Sequence, residues 1–205
     1  MENKMLYEIE TRVYFSSQEE AFNTLPFLHE CLKKKTEFET RMYGIELFNS
    51  GKILRVSQVK DNKKLRTYLG YKEPDIGKIF NIRNEIDEEI TYGINESFIL
   101  KFIQGIKKEV NTGNINKLLE SLGYKQFMSL TGTNITGYYE KFQIDLKLMK
   151  CSTLKYPLLL EIEKSAEVVE EAFCKELELK NFISEYKLES RIVKEEPPIL
   201  LRKSI

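Results

Sequence analysis

Residues 7–15 read Tyr7-Glu8-Ile9-Glu10-Thr11-Arg12-Val13-Tyr14-Phe15, and their alternation predicts a β-strand. Period 2 places Glu8, Glu10 and Arg12 on one face and Tyr7, Ile9, Thr11, Val13 and Phe15 on the other. Two carboxylates and a guanidinium in a row suit an ordinary solvated face. They equally suit half of a site for a metal ion and the anion it accompanies. The rest of the chain decides, because the pattern recurs.

In Leu158–Lys164, Glu161 and Glu163 oppose Leu158, Leu160 and Ile162. In Phe142–Leu148, Gln143, Asp145 and Lys147 oppose Phe142, Ile144, Leu146 and Leu148. Arg83, Glu85 and Asp87 oppose Phe80, Ile82 and Ile86; Arg55 and Ser57 oppose Leu54 and Val56. Leu65–Lys72 alternates more weakly, with Arg66, Tyr68 and Lys72 on its polar side. One strand of this kind is the default of a half-buried antiparallel sheet. Repeated like charges about 7 Å apart along a strand gain nothing from each other, so the repetition asks for a cause. About eight strands closing on themselves would turn these faces inward around a lumen sized for one small ligand. Helices would then cover the apolar outside. The fold class expected is α+β: a closed eight-stranded antiparallel β-barrel with a polar lumen.

Between the strands, Ser16-Ser17 offers an N-cap, and Phe22, Leu25, Leu28 and Leu32 predict a helix running to Lys35, perturbed at Pro26. Strands are expected at Glu39–Phe48, Lys52–Val59, Leu65–Lys72, Lys78–Glu88, Tyr124–Gly132, Thr136–Met149 and Leu158–Lys164. Helices are expected at Glu96–Val110, Ile115–Leu122 and Glu167–Phe182. Neither an internal repeat nor a linker interrupts the 205 residues, which predicts a single domain over 1–205. Lys plus Arg and Asp plus Glu balance at 32 each, so no global charge draws the chain to DNA or to an anionic membrane. Cys31, Cys151 and Cys174 lack metal or disulfide spacing, and no long apolar run is present. A cytoplasmic location is expected.

Weaker signals have ordinary readings. His29 is the lone histidine and suits packing. Gly51-Lys52 lacks the glycine spacing of a phosphate loop. Lys33-Lys34-Lys35 suits a solvated helix end, and Tyr138-Tyr139 suits packing better than base stacking.

The ordered motifs resemble the CYTH superfamily, the triphosphate tunnel metalloenzymes, which include class IV adenylate cyclases and thiamine triphosphatases. The N-terminal Glu-x-Glu-x-Lys strand of that family is similar to Glu8-Ile-Glu10-Thr-Arg12. Its Gly turn and Leu-Arg strand resemble Gly51-Lys-Ile-Leu-Arg55-Val-Ser57, and its Tyr-Lys-Gly-Pro resembles Tyr71-Lys72-Glu-Pro74. Arg83-Asn-Glu85, Asp145 and Glu161-Ile-Glu163 complete the likeness. The resemblance implies that Glu8, Glu10, Glu85, Asp145, Glu161 and Glu163 hold Mg²⁺ or Mn²⁺. It implies phosphate binding by Arg12, Arg55, Lys72 and Arg83, with the chemistry on Glu10 and Arg12. The expected partner is a small-molecule triphosphate or nucleotide, with no membrane and no DNA, and a homodimer is left open. The activity implied is hydrolysis of inorganic tripolyphosphate, thiamine triphosphate or a nucleoside triphosphate. Formation of cyclic AMP from ATP, or nucleotide binding without turnover, are the alternatives. Three positions depart from the pattern: Arg12 replaces lysine, Ser57 replaces arginine, and uncharged Leu130-Thr-Gly-Thr133 stands where a Lys-x-Arg strand is expected.

Overall fold

The structure is a computed structural model describing residues 5–202. Eight antiparallel strands close into a barrel in the order β1-β5-β4-β3-β2-β6-β7-β8. They are β1 (Leu6–Tyr14), β2 (Leu32–Tyr43), β3 (Ile53–Lys60), β4 (Leu65–Lys72), β5 (Asn81–Glu89), β6 (Gln126–Tyr139), β7 (Ile144–Lys150) and β8 (Leu158–Ala166). Seven α-helices accompany them among the described residues: α1 (Gln18–Thr24), α2 (Leu28–Cys31), α3 (Ile45–Asn49), α4 (Phe98–Gln104), α5 (Ile115–Ser121), α6 (Val169–Glu185) and α7 (Pro197–Arg202). The closed α+β barrel expected from the alternation is therefore the observed architecture.

The chain gathers into two compact units. One takes in Phe38–Asp75 and Asn84–Thr131; the other takes in Tyr7–Glu37, Ile76–Arg83 and the chain from Gly132 onward. In the second unit, Ile9 and Val13 of β1, Leu146 of β7, and Leu160 and Ile162 of β8 pack with Leu179, Phe182 and Ile183 of α6. These are the apolar faces of strands whose other face is charged, so helix cover on the outside turns the charges toward the barrel interior. Ala172, Glu176, Leu179 and Ile183 recur at helical spacing along the buried side of α6. Glu176 is compensated there by backbone: its Oε1 accepts from the amides of Lys78, Ile79 and Phe80 at 3.0, 2.7 and 2.8 Å.

In the first unit, Leu54, Val56, Leu69, Tyr71 and Ile86 pack with Ile99 and Leu100 of α4 and Ile115 and Leu119 of α5. Glu88 anchors the start of α4, accepting from the Ser97 hydroxyl at 2.5 Å and from the Phe98 amide at 2.6 Å. The Ser97 Oγ in turn accepts from the Leu100 amide as a helix N-cap.

Several local expectations are corrected. The helix expected to reach Lys35 stops at Thr24, because Pro26 cannot continue it. A single turn follows as α2, and Leu32 already begins β2. Lys33, Lys34 and Lys35 are thus strand residues rather than a helix end. The strand expected to run to Phe48 ends at Tyr43, where Gly44 takes a left-handed φ of 72° and starts α3. The helix expected over Glu96–Val110 is only Phe98–Gln104, closed by Gly105 at φ 67°; Val110 instead bridges Ile94. The two strands expected at Tyr124–Gly132 and Thr136–Met149 are divided elsewhere, at Glu140–Gln143. His29 stacks on Phe22 with ring centroids 4.4 Å apart, and Tyr139 lies parallel to Phe27 at 4.2 Å; both fit the packing readings.

Candidate functional site

Cross-strand partners in an antiparallel sheet point to the same face, so the register of β7, β8 and β1 shows which charges are neighbours. One row runs Lys147–Glu161–Arg12, alternating in sign. The next runs Asp145–Glu163–Glu10, all acidic. Glu8 follows on β1, opposite Ser165. Five carboxylates share this face with two cations.

The cations sit on the first row. Lys147 Nζ lies 2.5 Å from Glu161 Oε2 and 2.9 Å from Glu163 Oε1. Arg12 Nε donates to Glu161 Oε1 at 3.0 Å, its NH1 donates to Asn81 Oδ1 at 3.1 Å, and its remaining NH2 pairs with Glu10. Arg12 is 2% exposed and Glu161 3%. Burial alone disfavours the Glu161 anion, but Lys147 and Arg12 outweigh it and hold its carboxyl well below the usual range. Burial likewise opposes the charge on Lys147, yet Glu161 and Glu163 drive its ammonium well above the ordinary value. The same balance, with Glu10 and Glu161 dominant, raises Arg12.

The second row behaves oppositely. Burial pushes the Glu163 carboxyl up; Lys147 opposes this, while Glu8 and Glu161 add to it. Burial and the neighbouring Glu163 push Asp145 up as well. Among the described residues, Glu8, Glu10 and Glu163 form a group in which one carboxylate oxygen from each lies within 4.8 Å of the other two. Carboxylates this close repel unless a proton or a cation joins them. All three are hard oxygen donors, a set that fits Mg²⁺ or Mn²⁺.

The other unit carries a second charged face, on β3, β4 and β5. Arg55 aligns with Gly70 and Gly70 with Asp87; Lys72 aligns with Glu85. Arg55 NH2 stands 2.8 Å from Asp87 Oδ2 and 3.9 Å from Glu85 Oε2, and Lys72 Nζ lies 2.6 Å from Glu85. Gly70 makes the first contact feasible: a Cβ there would collide with Asp87 Oδ1 and come within 2.7 Å of Arg55 Nε. Ser57, where the family pattern has arginine, shares a hydrogen bond of 3.0 Å with the Thr40 hydroxyl.

The residues singled out in the sequence therefore divide into four settings. Glu8, Glu10 and Glu163 converge, with Asp145 beside Glu163 in the register. Glu161 is taken up by Arg12 and Lys147. Arg55, Lys72 and Glu85 belong to the second face, paired among themselves and with Asp87. Arg83, 6% exposed, pairs with buried Glu196 just before α7. Lys147, Asp87, Asn81 and Glu196 were not among the candidates. Alternation had put Lys147 and Asp87 on charged faces, so a signal existed for those two. Nothing local to Glu196 marks it, because its partner lies far away in sequence.

No family model matches the chain, and no curated protein matches it. Solved structures do match. The Pyrococcus horikoshii OT3 protein PH1819 is 21% identical over 97% of this chain and 99% of that one, with a TM-score of 0.72. A Vibrio parahaemolyticus protein provisionally described as an adenylate cyclase is 10% identical over 98% and 99%, TM-score 0.65. A Hippeastrum protein, HpAC1, described as an adenylyl cyclase candidate with a dominant triphosphatase activity, is 15% identical over 97% and 96%, TM-score 0.58. These likenesses, all below 25% identity, establish the fold alone.

Proposed function

We propose that the protein is a metal-dependent phosphohydrolase acting on a triphosphate in the charged interior of its barrel. The substrates we propose are inorganic tripolyphosphate, thiamine triphosphate and nucleoside triphosphates. The observation that carries this reading is the convergence of Glu8, Glu10 and Glu163 on a face where carboxylates outnumber cations. A dication bound there would polarise a phosphoryl group and make a coordinated water more acidic. The chain's own residues do the rest. Glu8, Glu10 and Glu163 hold the ion, with Mg²⁺ or Mn²⁺ as the expected occupant. Arg12 braces Glu10 and Glu161 and offers a guanidinium to charge developing on the phosphoryl oxygens. Because arginine does not give up its proton, a proton leaving an attacking water passes to a carboxylate of this face or to solvent. The three cysteines are all free, which agrees with the cytoplasmic location we propose. No helix of the described residues is long and apolar enough to cross a membrane.

A second reading, a polyphosphate- or nucleotide-binding module without turnover, is favoured by the second face. There Arg55 and Lys72 are engaged by Glu85 and Asp87 and Ser57 contributes a hydroxyl; apart from that face, Leu130–Thr133 on β6 is uncharged. One assay separates the readings: purified protein with Mg²⁺ or Mn²⁺ is offered tripolyphosphate, thiamine triphosphate and ATP, and phosphate, pyrophosphate and cyclic AMP are measured. Phosphate release that falls at least a hundredfold in Glu10→Gln is expected of the hydrolase. Cyclic AMP with pyrophosphate identifies a cyclase. A rise in melting temperature without turnover identifies a binder. Neither turnover nor stabilisation with any of the anions rejects the tunnel reading.

A further inference from the structure

We propose that residues 192–202 form an internal inhibitor, in which the Glu196 carboxylate holds the place of a phosphate against Arg83. The inference rests on the triphosphate reading above and adds that the ligand enters by displacing part of the chain. Asn81 and Arg83 are two residues apart on β5 and so share a face. Arg12 NH1 donates to Asn81 Oδ1 at 3.1 Å, which puts the guanidiniums of Arg12 and Arg83 on the same side of their strands. Both are buried. Arg83 pairs with Glu196, itself buried, and the charge of Glu196 also helps to hold Arg12 protonated. One carboxylate therefore serves both arginines, and its negative charge stands where the family resemblance expects phosphate.

Glu196 arrives on a strap rather than on a strand of the barrel. Ile192 and Val13 form an isolated antiparallel bridge, and the Val193 amide donates to the Arg12 carbonyl at 2.8 Å. Pro197, Pro198, Leu200 and Leu201 of α7 are buried, which makes the strapped form the resting one. An isolated bridge holds a segment less firmly than a strand ladder, and weakly held segments open ahead of the rest of a fold. Opening alone breaks a buried ion pair, which is costly. Opening by exchange is not, because a triphosphate brings several anionic oxygens that guanidiniums take by bidentate forks, while Glu196 passes into water.

The test uses imidotriphosphate, whose P–N–P bridges resist hydrolysis, with Mg²⁺ at fixed ionic strength. Titration calorimetry compares the wild type with Glu196→Gln, and circular dichroism confirms the fold. Glutamine keeps the shape and removes the competing charge, so Glu196→Gln is expected to bind at least tenfold more tightly. Hydrogen exchange over residues 192–202 of the wild type, the Val193 amide included, is expected to speed up when the ligand is bound. A structural ion pair predicts the reverse: equal or weaker binding by the variant, and exchange unchanged or slowed. A gain below tenfold in a folded Glu196→Gln overturns the inference, as does exchange that fails to accelerate; where the wild type binds, the triphosphate reading survives either result. If Glu196→Gln does not fold, exchange in the wild type decides. Binding by Glu196→Gln alone supports complete inhibition. Binding by no folded form overturns the triphosphate reading, and this inference with it.

Discussion

The β7–β8–β1 face and the β3–β4–β5 face arise from the same period-2 pattern, yet they balance charge differently. On the first, Glu8, Glu10, Asp145, Glu161 and Glu163 confront only Arg12 and Lys147. On the second, Arg55 and Lys72 meet Asp87 and Glu85 one for one. A face balanced within itself gains little from a bound ion, whereas a face with surplus carboxylates gains a partner for each repelling oxygen. Alternation alone does not distinguish the two; the ratio of signs within each row does.

The largest expected way to break the comparison is Arg12→Met. It leaves Glu10 and Glu161 buried with Lys147 as the only remaining cation of their face, a change of the kind that costs about 3–5 kcal/mol. Urea denaturation measures it. A loss under about 1 kcal/mol would show that the acidic face balances itself without Arg12.

Gly70→Ala probes the second face. The new methyl group pushes Asp87 and Arg55 apart, with an expected cost of about 1–3 kcal/mol. Most of that cost should vanish when Asp87→Ala opens the space, a coupling read from the double-mutant cycle. Full additivity of the two changes would mean that Gly70 serves the backbone rather than the ion pair.

The mildest test is pH. Asp145 and Glu163 hold their protons more tightly folded than unfolded. Their contribution therefore favours folding below the ordinary carboxylate pKa and is lost as pH rises through their raised values. Glu161, held low, does the opposite: its contribution is present above the ordinary carboxylate pKa and is lost as pH falls toward its depressed value. Asp145→Asn should remove part of the loss seen on raising the pH. Mn²⁺ should stabilise the wild type increasingly over the same rise, since metal and proton compete for the same oxygens. Thermal melts with and without Mn²⁺ across pH 4–8 measure both, and a pH-independent response to Mn²⁺ would place its binding elsewhere.

Much of the fold was legible because strand alternation is a local property. β4 lies at Leu65–Lys72 as expected, and β1 and β8 differ only by a residue or two at their ends. What escaped was set by distant contacts. Leu32 fits the helical spacing of Phe22, Leu25 and Leu28, yet strand pairing claims it. Thr133, Asn134 and Ile135, expected to separate two strands, lie instead within the single strand β6. The true turn carries Gln143 at φ 52°, with no glycine to announce it. The acidic residues of the site were visible as a set, but their division was not. Only the register puts Lys147 opposite Glu161 and Asp145 opposite Glu163, and register is not written in either strand alone.

The pairing of β1 with β8 also sets a timetable. Arg12 and Glu161 are 149 residues apart, so at ribosomal speed Arg12 waits on the order of ten seconds before its partner is synthesised. During that interval the β8 edge of β1 is open, and an open strand edge invites other chains to pair with it. Glu8 and Glu10, unfavourable neighbours of each other, give that waiting strand the charge that discourages such association. On the proposed metal reading, the same carboxylates would serve twice, guarding the edge of their strand before they meet an ion.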